Sequence, residues 1–335
     1  MALPRIVSLI PSATEIVCAL GFEDSLVGRS HECDFPPSVK KLPVLTEVKI
    51  NVKGSSAEID RDVRTIVEKG LSVYRVDSKK LDEARPEFIV TQSQCEVCAV
   101  SPRDVEEAVC NMVGSHPRVV SLEPNRLEDV WQDFYRVAET LGDFERAFKI
   151  VEKLKRRLAD ISSRVESLSP PRKRGPSNKL DSRFRGNDIG ARAHEAKTFP
   201  TVAAIEWMDP LMAAGNWMPE LVAAAGGKNL FGEAGKHSPY LEWNALVAED
   251  PDIIVICPCG FDIEHIQSDL GALTKRPGWS GLKAVKSRKV YIADGHQFFN
   301  RPGPRLVESA EILAEIIHPE RFQFGHEGKG WIKLK

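Results

Sequence analysis

No apolar run in this chain reaches the roughly 18 residues that a membrane-spanning helix needs, so insertion by a single helix is not expected. Charge of one sign is also lacking. Forty-six Lys and Arg stand against 48 Asp and Glu, a net −2 that argues against general nucleic-acid binding. There is no Walker loop, no Gly-x-Ser-x-Gly elbow and no His-Glu-x-x-His pair. With them go the usual signatures of nucleotide hydrolysis, acyl transfer and zinc proteolysis, and no catalytic set is expected. A leader is not seen either. Residues Arg5 to Ser12 read R-I-V-S-L-I-P-S, a buried-strand run that ends in a turn, with four residues before it. An export signal would place a basic start, an apolar stretch and a small-residue cleavage site ahead of the fold. The chain as written is therefore expected in the cytoplasm, and in the periplasm or at the cell surface if its start lies upstream. Seven cysteines, an odd number, are expected as free thiols or metal ligands in a reducing compartment.

What is present suffices for two lobes. The chain has 335 residues, 42% of them hydrophobic, enough for two separate cores. Short apolar runs at Arg5–Ile10, Leu71–Val76, Phe88–Thr91 and Arg118–Leu122 predict parallel strands with helices between them, an α/β lobe over 5–124. Ser12 and Glu15 form an S-x-x-E pattern, expected as a capping box, and Gly21 ends that helix. Ser101-Pro102 marks a second helix start. Over 125–168 the apolar residues step by three or four. After Gly142-Asp143 they run Phe144, Phe148, Val151, Leu154, Leu158, Ile161, Val165 and Leu168. That second helix would cover about 25 residues, or roughly 37 Å at 1.5 Å per residue, enough to join two lobes. Strands at Thr201–Ile205, Asp252–Ile256 and Lys289–Ala293, with helices at Met218–Ala225 and Arg305–Ile317, predict a second α/β lobe over 198–320. A tail, 321–335, follows. The segment 169–197 carries eight basic and three acidic residues and no apolar period. It is expected as a disordered, solvated insertion. Its core, K-L-D-S-R-F-R-G-N-D, resembles translated palindromic repeats.

The opening R-I-V-S-L-I-P-S-A-T-E-I-V-C-A-L-G, then V-G-R-S-H-E-C-D-F-P-P, carry a family resemblance. So do Met208-Asp209-Pro210, A-A-G-N-W-M-P-E-L-V-A-A-A-G-G-K-N-L-F and P-D-I-I-V-I further on. Together they resemble the cobalamin- and iron-chelate-binding proteins of ABC importers, of the class III, helical-backbone type. The resemblance implies two α/β lobes with mainly parallel sheets, joined by one long backbone helix, and a ligand cleft between lobes. It implies non-catalytic binding of a cobalamin, another corrinoid or a related metal chelate, by a monomer with no nucleic-acid partner. It also implies an ABC permease partner, docked through one acidic residue on each lobe. Those positions fall near Lys79 and Asn244, neither acidic, with Asp82 and Glu242 close by.

In such a fold the cleft is lined by loops at the carboxyl ends of strands. The resulting candidate ligand-binding residues are His31, Glu32, Cys33, Gln94, Cys95, Trp207, Asn216, Trp217, His237, Tyr240, His296, Phe298, Phe299 and Arg301. Histidines there suit an axial ligand to a bound metal complex. Trp207, Trp217, Tyr240, Phe298 and Phe299 could wall a flat apolar ring, or equally pack in the core. Arg301 could meet a ligand carboxylate or pair with an acid. Cys95 and Cys98 form a C-x-x-C, readable as metal ligands, a redox pair or structural thiols; the metal ion itself is unknown. Cys18 and Cys110 lie in helical patterns and are expected in the core. A second reading is a cytosolic metal- or thiol-dependent enzyme using the Cys95/Cys98 loop. A third is an interaction module whose cleft is filled by its own side chains. Convergence of Cys33, Cys95, Cys98 and His31 would favour the enzyme.

Overall fold

The computed structural model describes residues 3–69, 73–93, 101–110, 112, 116–167 and 199–335. The first lobe runs β1 (Ile6–Ser8), α1 (Pro11–Ala19), β2 (Leu26–Arg29), β3 (Thr46–Val48), α2 (Ser56–Glu68), β4 (Tyr74–Val76), α3 (Ser78–Ala84), β5 (Phe88–Gln92), α4 (Pro102–Cys110) and β6 (Arg118–Leu122). Its main sheet has the order β2-β1-β5-β6 and is parallel throughout. The expected strands at the chain start, at Phe88 and at Arg118 are all in it. The Leu71–Val76 run differs. Its described part, β4, pairs antiparallel with β3 in a separate two-stranded sheet. An apolar run marks a strand that is buried, but it does not say which neighbour the strand will find.

Two helices follow: α5 (Leu127–Leu141), ended by Gly142 at φ +81°, and α6 (Phe144–Glu166). The 23 residues of α6 span about 34 Å. Its buried stripe is Ala147, Val151, Leu154, Ile161 and Val165. Phe144 and Phe148, expected on that stripe, are more than half exposed instead. The helix packs against α5 on one side and against two second-lobe helices, α7 and α12, on the other. One continuous apolar cluster therefore runs through both lobes along these helices.

The second lobe runs β7 (Thr201–Trp207), β8 (Met212–Ala213), α7 (Met218–Ala224), β9 (Lys228–Asn229), α8 (Trp243–Glu249), β10 (Ile253–Ile256), α9 (Ile263–Asp269), α10 (Gly271–Thr274), α11 (Lys283–Lys286), β11 (Val290–Ala293), a π-helical turn at Gly295–Phe299, α12 (Leu306–Ile317) and β12 (Trp331–Lys333). Its sheet has the order β12-β11-β10-β7-β8, with β9 beside β7. The centre is parallel; β8 and β12 are antiparallel. β12 comes from the segment expected as a tail and extends the sheet. Buried on both faces, β10 reads Ile-Ile-Val-Ile, as a central parallel strand should. The insertion 169–197 lies outside the described residues. Among the described residues no helix is long and apolar enough to cross a membrane.

Candidate ligand-binding cleft

The capping box expected at Ser12 and Glu15 does not form. Pro11 opens α1, Ile10 is its N-cap, and no side chain caps it. The Ser12 hydroxyl donates instead to Gln92 Oε1 at 3.3 Å. Glu15 is 2% exposed and faces the other lobe. Arg305, just before α12, grips it with two donors, Nε to Oε2 at 2.9 Å and Nη2 to Oε1 at 2.5 Å. Arg301 Nη1 approaches the same carboxylate at 3.4 Å and donates to Asp34 Oδ1 at 2.6 Å. Gln297 Nε2 donates to Asp34 Oδ2 at 2.6 Å. His296 Nε2 lies 3.2 Å from that same oxygen and 2.9 Å from Arg301 Nη2. That nitrogen serves one partner at a time: as acceptor it takes the Arg301 proton, as donor it serves Asp34. Burial opposes ionisation of Asp34, but the contacts with His296 and Arg301 outweigh it and hold the carboxyl below its usual range. Two acids from the first lobe and two arginines from the second thus close one seam of the cleft. Phe35 adds to it, with the Arg305 guanidinium 4.1 Å above its ring.

Beside this seam the first lobe presents His31, Glu32 and Tyr74. The His31 backbone N–H donates to Thr46 Oγ1 at 3.0 Å, and its Nδ1 lies 2.8 Å from the same oxygen. Thr46 gives its own proton to Ser30 Oγ. In the tautomer whose Nδ1 donates to Thr46 Oγ1, Nε2 keeps its lone pair, with Glu32 Oε1 4.0 Å away. Burial lowers the His31 pKa, with Glu32 working in the opposite direction. The ring is therefore neutral at neutral pH, the form that ligates metals. Tyr74 flanks it, ring centroids 5.3 Å apart, and donates to Glu32 Oε1 at 3.1 Å. Across the seam stand His296 and, through it, the second-lobe aromatics. The His296 N–H donates to the Phe261 carbonyl at 3.0 Å, and Phe261 meets Trp207 edge-on at 5.2 Å.

Other expected site residues are placed differently. Cys33 is 1% exposed, accepts from Thr14 Oγ1 at 3.0 Å, and burial pushes its thiol up to about 12. It does not present a thiolate to the cleft. Trp217 and Phe299 are buried and joined to each other, the indole Nε1–H donating to the Phe299 carbonyl at 2.9 Å. Asn216 is buried in a turn at φ +51°. Arg301 is 5% exposed and occupied by two acids. Phe298 packs beside Arg305 and His326. His237 is exposed, its Nδ1 3.0 Å from the Ser238 carbonyl oxygen. Tyr240 is 65% exposed and accepts from Arg64 Nη2 at 3.3 Å. Gln94, Cys95 and Cys98 lie outside the described residues. Cys110 is exposed and is not a core residue, whereas Cys18 is partly buried and packs against the core. Lys79 and Asn244 sit exposed on α3 and α8. Asp34 ends the cleft loop expected at Ser30–Asp34, while Glu15, Thr46, Tyr74 and Arg305 were not expected at the cleft; only an S-x-x-E with no need of a cap could have pointed to Glu15.

Among the described residues no group of three or more His, Cys, Asp or Glu is placed to hold a bare metal ion.

Solved structures of periplasmic binding proteins share this two-lobed fold. Residues 179–296 match the family model described as "Periplasmic binding protein". The chain is 25% identical over 320 residues to the uncharacterized ABC transporter substrate-binding lipoprotein YvrC of Bacillus subtilis, covering 95% of this chain and 81% of that protein. It is 21% identical over 314 residues to a vitamin B12-binding protein of Photorhabdus laumondii, covering 94% and 88%. A periplasmic heme-binding protein from Pseudomonas aeruginosa has the same fold, with a TM-score of 0.64, 19% identity and coverage of 95% and 93%. The resemblance read from the motifs is borne out in the family model and in the two-lobed fold. By their names these relatives are binding proteins, the first a lipoprotein and the heme-binding one periplasmic.

Proposed function

We propose that this chain is a non-catalytic binding protein that takes a corrinoid or a related metal chelate into the cleft between its lobes. The observation that carries the reading is His31: half-buried, neutral, fixed by Thr46 through Nδ1 and left with a lone pair on Nε2. One such imidazole cannot hold a free ion, but it suits a metal whose other positions are filled by its own chelate. Trp207, part-exposed on the second lobe, offers aromatic surface to a flat ring. The relatives named above support the same ligand class, a partner ABC permease, and capture in the periplasm or at the cell surface. The test is a visible-absorbance and calorimetric titration with cobinamide, cobalamin and hemin. Saturable binding to one of them near 1 µM or tighter is expected, with at least a ~10-fold loss, about 1.4 kcal/mol, on His31→Ala. Binding that survives His31→Ala and Trp207→Ala unchanged sinks this site, and no binding to any of the three sinks the ligand class.

A further inference from the structure

Helix α2 belongs to the first lobe by sequence but is docked on the second. At its amino end the Ser56 backbone N–H and hydroxyl both donate to Asp269 Oδ2 of α9, at 2.8 and 2.6 Å. One residue before its N-cap Ser55, the Gly54 carbonyl accepts from His265 Nε2 of the same helix at 2.7 Å. A carbonyl only accepts, so Nε2 carries the proton. The His265 ring lies flat on Phe261, centroids 3.6 Å apart and 6° from parallel. One turn into α2, Ile59 is 7% exposed and buried in the second-lobe core with Ile205, Leu241 and Ile266. At its far end Arg64 reaches Tyr240, with the hydroxyl at 3.3 Å and the guanidinium 5.8 Å from the ring centroid. Three successive turns of one helix thus engage the opposite lobe. Its own lobe holds it through Ile66, with Val63 bordering both clusters.

We infer that α2 is a strap that closes the cleft on the side away from the backbone helix, and that ligand reaches the cleft only when α2 leaves α9. The long helix and the shared core prevent the lobes from swinging wide. Access must then come from a smaller element whose contacts are few and separable. The strap fits that description. Among the described residues its inter-lobe contacts are the apolar side chains of Ile59 and Val63, three hydrogen bonds at the α9 end and one at Tyr240. The strap is also well placed: His265 of α9 stacks on Phe261, the residue that joins His296 to Trp207. The inference rests on the cleft being the ligand site, so its test has an arm that needs no ligand.

In hydrogen exchange on the full chain, Asp269→Ala is expected to speed exchange in α2 about ten-fold, with β1, β5 and β10 unchanged. No change in α2 overturns the strap, whatever the protein binds. In the second arm Ser56→Cys and Asp269→Cys are combined, and wild type is carried through the same oxidation and reduction. With cobinamide or hemin, whichever the wild type binds, association is expected to slow at least ~10-fold when the pair is oxidised and to recover on reduction. Equal rates in the two states overturn the gate. Failure of the wild type to bind either ligand overturns the proposed function alone, because the exchange result still decides the strap.

Discussion

Two contacts cross the cleft, and they are made of different chemistry. At one seam Glu15 and Asp34 meet Arg301 and Arg305, with Glu15 and both arginines almost fully buried. At the other, α2 lies on the second lobe through Ile59, Val63 and a handful of hydrogen bonds. A buried ion pair is hard to part, since each charge that loses its partner is left in a poor solvent. A small apolar contact with exposed polar ends parts at modest cost. The difference assigns roles: the charged seam holds the lobes in register, and the strap moves.

The largest expected effect tests the rigid side. Arg305→Ala should cost about 3–5 kcal/mol, because Glu15 stays buried without its two-donor partner. Replacing both, as Glu15→Leu with Arg305→Met, should recover most of that loss. Urea unfolding at neutral pH reads both values; a single-variant cost below about 1 kcal/mol would show that the seam does not hold the lobes. Asp34→Asn comes next, at about 2 kcal/mol near neutral pH. Its folded pKa lies below its unfolded value. The carboxylate's contribution is therefore full above about pH 4 and lost as pH falls through the lower folded pKa. The gap between wild type and Asp34→Asn should be flat from pH 5 to 8, within about 0.5 kcal/mol, and shrink below about pH 4. A gap that widens on acidification contradicts this sign. Ser56→Ala should do least, about 1 kcal/mol, because Asp269 keeps the backbone N–H of residue 56. A loss as large as that of Arg305→Ala would erase the distinction between the two contacts.

Two of the S-x-x-E patterns in this chain show how far local reading goes. At Ser12 the pattern predicts a cap, yet Glu15 serves Arg305 from the other end of the chain. At Ser55 the same pattern forms a complete capping box with Glu58 and opens α2. The residues are alike, and the difference is whether a buried arginine stands opposite. Strand reading shows a similar divide. The parallel strands β1, β5, β7, β10 and β11 are legible because burial on two faces makes them almost continuously apolar. β4, Tyr-Arg-Val with an exposed centre, finds a different partner, and β2, β8, β9 and β12 are too short or too polar to stand out. Among the site residues, polar loops at strand ends drew attention to His31 and His296, which the structure places at the cleft. The same rule named Trp217, Phe299 and Cys33, which pack inside. A loop's place in sequence says nothing about which way a side chain turns.

By itself the sequence determined the two α/β lobes, the backbone helix and the motifs of the binding-protein class. These follow from periodicity and from short stretches whose neighbours are near in the chain. Tertiary structure alone decided which acids meet Arg301 and Arg305, which lobe α2 lies on and which histidine keeps a free lone pair. Each of those depends on contacts between residues up to 290 positions apart, and on burial that removes water as the competing partner.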